Sequence, residues 1–260
     1  MNENGLRVLT VGNSFSGDGY AYLYEILTTH GVEDVVLSYL YIGGGTLTDH
    51  ITAIALDSPT YRLHIFDKQG HDVSEEHRFS EVVSLYDWDL IVFQQGSSDS
   101  GLPNTYLPAF DTLLYHVKKS ANSSAKFAWH MTWAYQQDSE HAAFSNYNYS
   151  QATMYEGICT SVERLLGESD ELCLLIPCGT AVQNARTSAL GDTLTKDGHH
   201  LSPFGRYLAS YTWYAALTGD DPEELLYTPS DQTLTKTELS ILEKAVSSAI
   251  QTPFSITSLA

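Results

Sequence analysis

The chain has 260 residues, of which 13 are Lys or Arg and 32 are Asp or Glu, so its formal net charge is −19. An acidic surface of that size repels phosphate backbones and anionic lipid headgroups, which excludes nucleic acid and membrane surfaces as expected partners. Because 43% of the residues are hydrophobic, the chain can form a core of its own, which excludes a disordered acidic tail.

Short apolar runs alternate along the chain with longer amphipathic stretches, a pattern typical of α/β proteins. The apolar runs predict five strands, at Leu6–Gly12, Asp34–Ile42, Asp89–Phe93, Ala125–Trp129 and Leu172–Ile176. The amphipathic stretches predict helices at Tyr20–His30, Tyr106–Ser120, Gln151–Leu166, Pro203–Leu217 and Lys236–Ile250. We therefore expect a mainly parallel sheet with helices on both faces. Since neither an internal repeat nor a linker is visible, we expect a single domain over residues 1–260.

Four further features narrow the class of protein. The polar segment Tyr61–Phe79, with Gln69 and Gly70 placed as in a turn, predicts a small inserted hairpin. No apolar run approaches the roughly 20 residues of a membrane-spanning helix. The start, MNENGLRVLTVG, lacks a basic segment followed by an apolar one, so we expect a cytoplasmic protein, or a secreted one if a leader has been trimmed. The cysteines are odd in number and match no zinc spacing, which predicts reduced thiols in or near the core at Cys159, Cys173 and Cys178.

Ligands of open α/β sheets bind at the carboxyl ends of the strands. Four polar or glycine-rich loops are expected near that edge: NSFSGDG, GGGT, QQGSSDSG and KDGHHLSP. In the first loop, predicted as a turn, Ser14 follows a buried strand and precedes a helix. Its hydroxyl could therefore act as a nucleophile near a helix N-terminus. The alternative is an ordinary turn or N-cap serine.

The segment Asp197-Gly198-His199-His200 offers a base. On one turn, a spacing of three residues lets Asp197 bind Nδ1–H of His200, which leaves Nε2 free to accept a proton. His199 is the competing base, but residues two apart do not share a face of a helical turn. The alternative is a surface turn, because D-x-x-H is common by chance.

The two remaining loops offer hydrogen-bond donors. At Gly43–Gly45 the main chain can approach a ligand closely, because no Cβ intervenes. Gln95, at the end of the third strand, offers a side-chain amide. Each has a plain alternative, a strand-ending turn for the glycines and a bond to local backbone for Gln95. The order of the loops would let one pocket collect the nucleophile, the donors and the base.

These residues resemble the sequence blocks of the SGNH (GDSL-type) hydrolases. The first block, usually GDSL, is similar to Gly12–Ser16; the second, a glycine after the second strand, to Gly44; and the last, D-x-x-H, to Asp197–His200. The resemblance implies a flavodoxin-like three-layer α/β/α sandwich, which with the predicted elements has a five-stranded, mainly parallel sheet. It also implies a serine esterase.

The resemblance further assigns roles. It implies a catalytic triad of Ser14, Asp197 and His200, without a cofactor or a metal ion. The oxyanion hole would combine the N–H groups of Ser14 and Gly44 with one side-chain amide. The third block normally reads G-x-N-D; here QQGSSD is similar to the Q-G-E-S-[ND] loop of sialate- and xylan-type acetylesterases, where a glutamine is the donor. That similarity points to Gln95.

The acetylesterase-like loop favours removal of O-acetyl groups from a carbohydrate, either a small molecule or an oligosaccharide. Trp133 and Tyr135, which follow the fourth strand, are candidates for the sugar-facing wall, with core packing as the alternative. Asn13 stands where the first block normally has Asp. The whole pattern, including the stretch WHMTWAY, most resembles a bacterial branch of SGNH-like domains of unknown function.

Other function classes fit less well. An α/β-hydrolase would carry G-x-S-x-G, and a zinc protease H-E-x-x-H; neither occurs. A non-catalytic carbohydrate-binding module on the same fold is disfavoured because all three triad residues are present. A lipolytic esterase or thioesterase for short acyl chains stays the alternative function. Association of identical chains is left open.

The negative charge also bears on the substrate. An acidic surface disfavours polyanionic substrates unless one of the few cations near the base, such as Lys196 or Arg206, lies in the pocket. We therefore expect neutral acetylated sugars over pectin-like or sialylated ones.

Overall fold

The computed structural model describes residues 5–121, 124–220 and 225–260. Its centre is one seven-stranded sheet. The strands are β1 (Leu6–Gly12), β2 (Val35–Tyr41), β3 (Tyr61–Asp67), β4 (Gly70–His77), β5 (Leu90–Phe93), β6 (Lys126–His130) and β7 (Leu172–Ile176). Their spatial order is β4-β3-β2-β1-β5-β6-β7.

The five strands predicted from the apolar runs form the parallel part of the sheet. They are β2, β1, β5, β6 and β7, and every neighbouring pair among them is parallel. This is the strand order of flavodoxin-like proteins. The chain first places β2 on one side of β1 and later places β5 on the other side. β1 and β5 are buried almost throughout because they lie in the middle with helices on both faces.

The prediction of a five-stranded sheet is wrong in one respect. The hairpin β3–β4 is not a separate excursion, because β3 pairs antiparallel with β2 and extends the sheet. β4 is the outer strand, and most of its residues are exposed. An edge strand with few buried side chains has a polar sequence, which explains why Tyr61–Phe79 lacks the apolar signal of the other strands.

The helices are α1 (Ser14–Tyr20), α2 (Leu23–Thr29), α3 (Leu47–Ala55), α4 (Phe79–Val83), α5 (Ala109–Ser120), α6 (Gln151–Glu168), α7 (Cys178–Arg186), α8 (Pro203–Thr218) and α9 (Lys236–Gln251). α1, α2, α7 and α9 each contact α8, while α3 and α4 each contact α5. Right-handed crossovers place these two groups on opposite faces of the sheet. The three-layer sandwich is thus present with additional short helices.

Within the described ranges, none of the helices has the length and apolar character that crossing a bilayer requires. All three cysteines are free thiols, as the sequence predicts, although Cys173 is exposed. The expectation of a single domain over residues 1–260 stays a prediction, and residues 1–4, 122–123 and 221–224 lie outside the described part of the chain.

Candidate active site

Ser14 is the first residue of α1 and follows β1 after a single residue, Asn13. The segment predicted as a turn is therefore helical, because Asn13 is a strong N-cap whose Oδ1 accepts a hydrogen bond from the N–H of Phe15 at 3.0 Å. A Cβ at Gly12 would lie 2.3 Å from Ser16 Oγ, so only glycine fits this tight entry into the helix. The first N–H groups of a helix have no intrahelical acceptor, which leaves the N–H of Ser14 as a donor.

The structure brings the three residues of the predicted triad together. Ser14 Oγ lies 2.9 Å from His200 Nε2. His200 Nδ1 lies 2.7 Å from Asp197 Oδ2. Ser14 and His200 are 186 residues apart in the chain, yet their atoms are within hydrogen-bond distance. This is the relay that lets a histidine take the proton of a serine hydroxyl while a carboxylate orients it.

The carboxyl group of Asp197 is held in its ionised form. Desolvation raises its pKa, but hydrogen bonds from the His200 ring and from the N–H groups of His200 and His199 outweigh this and lower the pKa to about 2. An ionised Asp197 favours the His200 tautomer with the proton on Nδ1. Nε2 then faces Ser14 as an acceptor.

No hydrogen bond joins His199 to Ser14 within the described residues, in line with the expectation that residues two apart do not share a face. Its Nδ1 lies 3.2 Å from Asp197 Oδ1, while the bond to Ser14 belongs to His200. Its carbonyl accepts a hydrogen bond from Nε1 of Trp133 at 2.8 Å. His199 therefore helps to fix the loop that carries the base.

The glycine turn after β2 lies beside the nucleophile. The N–H of Gly45 donates to the carbonyl of Ile42 at 3.0 Å, and Gly44 has a φ of +64°, a conformation that favours glycine. Asn13 Nδ2 donates to the carbonyl of Gly45 at 3.1 Å and so ties this turn to the nucleophile loop. The N–H groups of Ser14 and Gly44 have no hydrogen-bond acceptor among the residues that the structure describes. Both are thus free for a ligand.

Gln95 is not presented to the nucleophile. Its Nε2 donates to the carbonyl and to Oγ1 of Thr105, at 3.1 and 3.0 Å, which uses both of its hydrogens. Its Oε1 accepts from the N–H groups of Leu47 and Gly96, each at 2.9 Å. The predicted oxyanion role would require Gln95 to give up these bonds. Through its bond to the N–H of Leu47, Gln95 instead holds the start of α3 in place, next to the glycine turn.

The neighbouring Gln94 is a residue that the sequence analysis misses. It is buried, and its Nε2 donates to Asn13 Oδ1 at 2.7 Å. Its Oε1 lies 2.8 Å from Ser16 Oγ and 3.1 Å from His130 Nδ1. This network lies beneath the nucleophile and fixes the N-cap. In the sequence, Gln94 and Gln95 are adjacent glutamines after β5, and nothing in the pattern shows which of them reaches Asn13.

Asp18 and Arg206 form a second connection that the sequence analysis does not assign. Asp18 is 2% exposed, and its Oδ1 lies 2.7 Å from Nε of Arg206 on α8. Its Oδ2 accepts the N–H of Leu201 at 2.8 Å. Since Leu201 directly follows His200, Asp18 couples the helix of the nucleophile to the loop of the base.

Trp133 and Tyr135 are not on the pocket wall, which corrects the expectation of a sugar-facing role. Both side chains are completely buried. Trp133 stacks on Phe15 with ring centroids 4.3 Å apart. Tyr135 donates its hydroxyl to Ser97 Oγ at 2.8 Å. They pack behind the site because the chain after β6 turns back into the core.

A cleft of about 450 Å³ opens beside Ser14 and His200. One wall is formed by the hairpin, since alternate residues of β3 face the same side: Arg62, His64 and Phe66. Arg206 and Lys196 also line the cleft. The hairpin thus contributes directly to the surface that a substrate meets.

Within the described ranges, the side chains of Asp197, His199 and His200 have ligand atoms close enough to hold a metal ion, all within 4.8 Å of one another. Asp197 and His200 are bonded to each other in the relay. A metal ion would compete with that bond, so the arrangement fits proton transfer better than metal binding.

His200 thus lies within hydrogen-bond distance of both Ser14 and Asp197 in an α/β/α sandwich whose fold is similar to that of SGNH hydrolases. A proposed SGNH hydrolase from Slackia heliotrinireducens has a TM-score of 0.57 and 20% identity, covering 82% of this chain and 100% of that chain. A catalytic mutant of an acetylxylan esterase from Geobacillus stearothermophilus has a TM-score of 0.55 and 12% identity, covering 83% and 95%. At such identities, the likeness concerns the fold.

The family itself is narrower. The family model described as "Domain of unknown function (DUF4886)" matches residues 7–248. A DUF4886 family protein from Bacteroides uniformis ATCC 8492 has a TM-score of 0.91 and 32% identity, covering 98% of each chain. The chain belongs to the DUF4886 family. A comparison with curated proteins gave no match.

Proposed function

We propose that this protein is a serine esterase that hydrolyses a small ester through an acyl-enzyme. The observation that carries the proposal is the continuous relay from Ser14 to Asp197, with contacts of 2.9 and 2.7 Å through His200. In a serine hydrolase, the nucleophile must be within reach of a base, and the base must be oriented by a third group. Both contacts are present at one end of the cleft.

In the first half of the reaction, Ser14 Oγ attacks the acyl carbonyl while its proton passes to His200 Nε2. The tetrahedral intermediate then collapses, and the alcohol leaves with the proton from His200. In the second half, a water molecule gives its proton to His200 and attacks the acyl carbon. Collapse of this intermediate releases the carboxylic acid and returns the proton to Ser14.

The developing oxyanion needs donors that are in place before the reaction. The N–H groups of Ser14 and Gly44 suit this role, because neither has another acceptor within the described residues. Ser14 donates from the start of α1, where the helix dipole also favours negative charge. Gln95 contributes by holding α3 next to the glycine turn, through the bond from the N–H of Leu47.

The substrate that we propose is an O-acetyl ester of a carbohydrate. Support comes from the fold, which is similar to that of acetylxylan esterases, and from the open cleft of about 450 Å³ beside the nucleophile. Tyr41, which lines this cleft and is partly exposed, offers a ring to a sugar. It takes the place that the sequence pattern suggests for Trp133 and Tyr135.

The test is hydrolysis of p-nitrophenyl acetate by the wild-type protein and by Ser14→Ala. We expect the variant to lose activity, and we expect a trapped acetyl group on Ser14 in the wild type by mass spectrometry. Ser84→Ala, at an exposed serine directly after α4, is the matched control. Wild-type turnover by Ser14→Ala would overturn the proposal.

An acyl-length series then tests the acyl half of the ester. A sharp fall from acetate to butyrate to octanoate esters supports an acetylesterase, and release of acetate from acetylated sugars supports the carbohydrate half. A rise toward octanoate would instead indicate a lipolytic esterase or thioesterase.

A further inference from the structure

We infer that the cleft beside Ser14 contains a subsite for one carboxylate of the substrate, formed by Arg62, Lys196 and Arg206. This inference rests on the esterase function proposed above and specifies its substrate class. The carboxylate can belong to the acyl half of the ester or to its alcohol, as in a uronic acid. In both cases the group recognised is the same.

The first observation is the distribution of charge. The chain has 13 Lys and Arg against 32 Asp and Glu, yet three of its cations line this single cleft. Asp18 is the one carboxylate among the described residues of the same lining. On a protein with a net charge of −19, such a concentration of cations locally reduces the repulsion that an anionic group meets.

Arg206 is the best oriented of the three cations. Its Nε is bonded to Asp18 Oδ1 at 2.7 Å, and Asp18 is itself buried and bonded to the N–H of Leu201. This pairing fixes the plane of the guanidinium. Its two terminal nitrogens have no hydrogen-bond partner in the part of the chain that the structure describes. A planar pair of free N–H donors matches a carboxylate.

The other two cations lie on different elements around the cleft. Lys196 directly precedes Asp197 of the triad, is exposed, and has no ion-pair partner within the described ranges. Arg62 comes from β3; its guanidinium lies over the ring of Tyr41 at 5.4 Å, and its Nε contacts Glu75. Glu75 offsets part of that charge, so Lys196 and Arg206 are expected to contribute most.

The cleft suits a single negative charge better than a polyanion. His64 and His71, which also line it, are bonded to each other at 3.0 Å, and burial lowers the pKa of both, so they add no positive charge at neutral pH. The charge of the whole molecule repels each additional anionic group. The acidic surface favours neutral sugars unless a cation lies in the pocket, and Lys196 and Arg206 both line the cleft. We therefore expect a substrate with one carboxylate in place of a neutral sugar.

The experiment compares matched pairs of esters that differ in one carboxylate. For the acyl half, the pair is mono-p-nitrophenyl succinate and p-nitrophenyl butyrate; for the alcohol half, it is O-acetyl galacturonic acid and O-acetyl galactose. We expect kcat/KM to be roughly tenfold higher for the carboxylate member of one pair, since a hydrogen bond to a charged group is worth that much. The pair that responds identifies the half that carries the carboxylate. The preference should weaken as NaCl is raised.

Variants assign the preference to the cleft. In Lys196→Gln, the ratio of kcat/KM for the carboxylate ester over its neutral partner should fall by roughly tenfold. Arg206→Lys keeps a cation for the buried Asp18 and so keeps the fold, but it loses the planar donor pair, and its ratio should fall too. Lys126→Gln is the control and should leave the ratio unchanged. It removes an exposed cation from the start of β6, where the parallel strands begin, away from their carboxyl ends.

The outcomes separate this inference from the esterase proposal. If Ser14→Ala abolishes hydrolysis of all four esters but the wild type shows no carboxylate preference, the subsite is wrong and the esterase stands. A preference that survives in both Lys196→Gln and Arg206→Lys would also overturn the subsite. If Ser14→Ala keeps wild-type activity on the neutral esters, the esterase proposal fails first.

Discussion

Asn13 donates its side-chain N–H to the carbonyl of Gly45 across 3.1 Å, while its Oδ1 accepts the N–H of Phe15. The same oxygen accepts a bond from Gln94 Nε2. One amide thus caps the helix of the nucleophile and holds the turn of the oxyanion donor. These contacts need one acceptor and one donor on the same side chain, which explains why this chain has asparagine where the SGNH first block usually has aspartate.

The first prediction is that Asn13→Asp impairs both stability and catalysis. A carboxylate can still accept the two bonds, but it cannot donate to Gly45 and would face that carbonyl in a buried place. We expect the free energy of unfolding to fall by about 1–3 kcal/mol. Displacement of the glycine turn should lower kcat by about tenfold to hundredfold. Chemical denaturation and p-nitrophenyl acetate kinetics measure the two effects.

The control for this variant is Asn104→Asp, which adds the same charge at an exposed position. It should change neither quantity. Wild-type kcat and stability in Asn13→Asp would show that the bond to Gly45 is dispensable.

The second prediction separates two roles for Gln95. If Gln95 holds the start of α3 in place, Gln95→Ala leaves the N–H groups of Leu47 and Gly96 without their acceptor. The free energy of unfolding should then fall by about 1–3 kcal/mol. Thr105→Val, which removes one acceptor of the Gln95 amide, should reproduce part of that loss. As an oxyanion donor, Gln95→Ala would instead lower kcat by about 10²–10³-fold at unchanged stability.

Thermal unfolding and steady-state kinetics on the same preparations decide between the two. Gln251→Ala, at the exposed end of α9, is the matched control. A large loss of kcat without a loss of stability would restore the role that the sequence suggests for Gln95.

The parallel strands and the pairing of Asp197 with His200 are predictable from the sequence because their signals are local. β1 and β7 have the predicted bounds, since both are continuous apolar runs. Asp197 and His200 bond at the predicted spacing, since three residues suffice for the two side chains to meet. The helix at Ser14 is missed because its cap depends on Asn13 and not on helix-forming residues.

What is not predictable depends on contacts between distant segments. Gln94 and Gln95 are adjacent, but successive residues at a strand end point to opposite faces, and only the fold decides that Gln94 reaches Asn13 while Gln95 reaches Thr105. The burial of Trp133 likewise depends on Phe15, which is far away in the chain. A polar edge strand such as β4 has no apolar period to reveal that it joins the sheet.

The third prediction concerns Trp133, which we assign to positioning. Trp133→Phe keeps a ring against Phe15 but loses the bond from Nε1 to the carbonyl of His199. The loop of the base should loosen, so kcat should fall by about tenfold. Because the side chain does not reach the cleft, the fall should be equal for p-nitrophenyl acetate and for acetylated sugars. A loss confined to KM for sugars would instead support the sugar-facing role.

The fourth prediction is a pH dependence that belongs to Asp197. Its pKa is lowered from 3.8 to about 2, although desolvation opposes the shift, because the His200 ring and two backbone N–H groups donate to the carboxylate. A group whose pKa is lower in the folded state stabilises the fold above its unfolded value, and this contribution is lost as the pH falls through the folded value. The wild type should therefore exceed Asp197→Asn in stability by a constant amount above about pH 5. That difference should shrink between about pH 5 and 2.

Denaturant unfolding from pH 2 to 7, followed by tryptophan fluorescence, measures the difference. In the same variant, the amide no longer selects the His200 tautomer that accepts a proton from Ser14, so kcat at neutral pH should fall by about 10⁴-fold. Asp138→Asn, at an exposed aspartate outside the relay, is the control for the loss of one charge. A stability difference that is independent of pH down to 2 would contradict the bonds assigned to Asp197. An unchanged kcat would show that catalysis does not need the Asp197 carboxylate to orient His200, and Asp197 would then have no place in the relay.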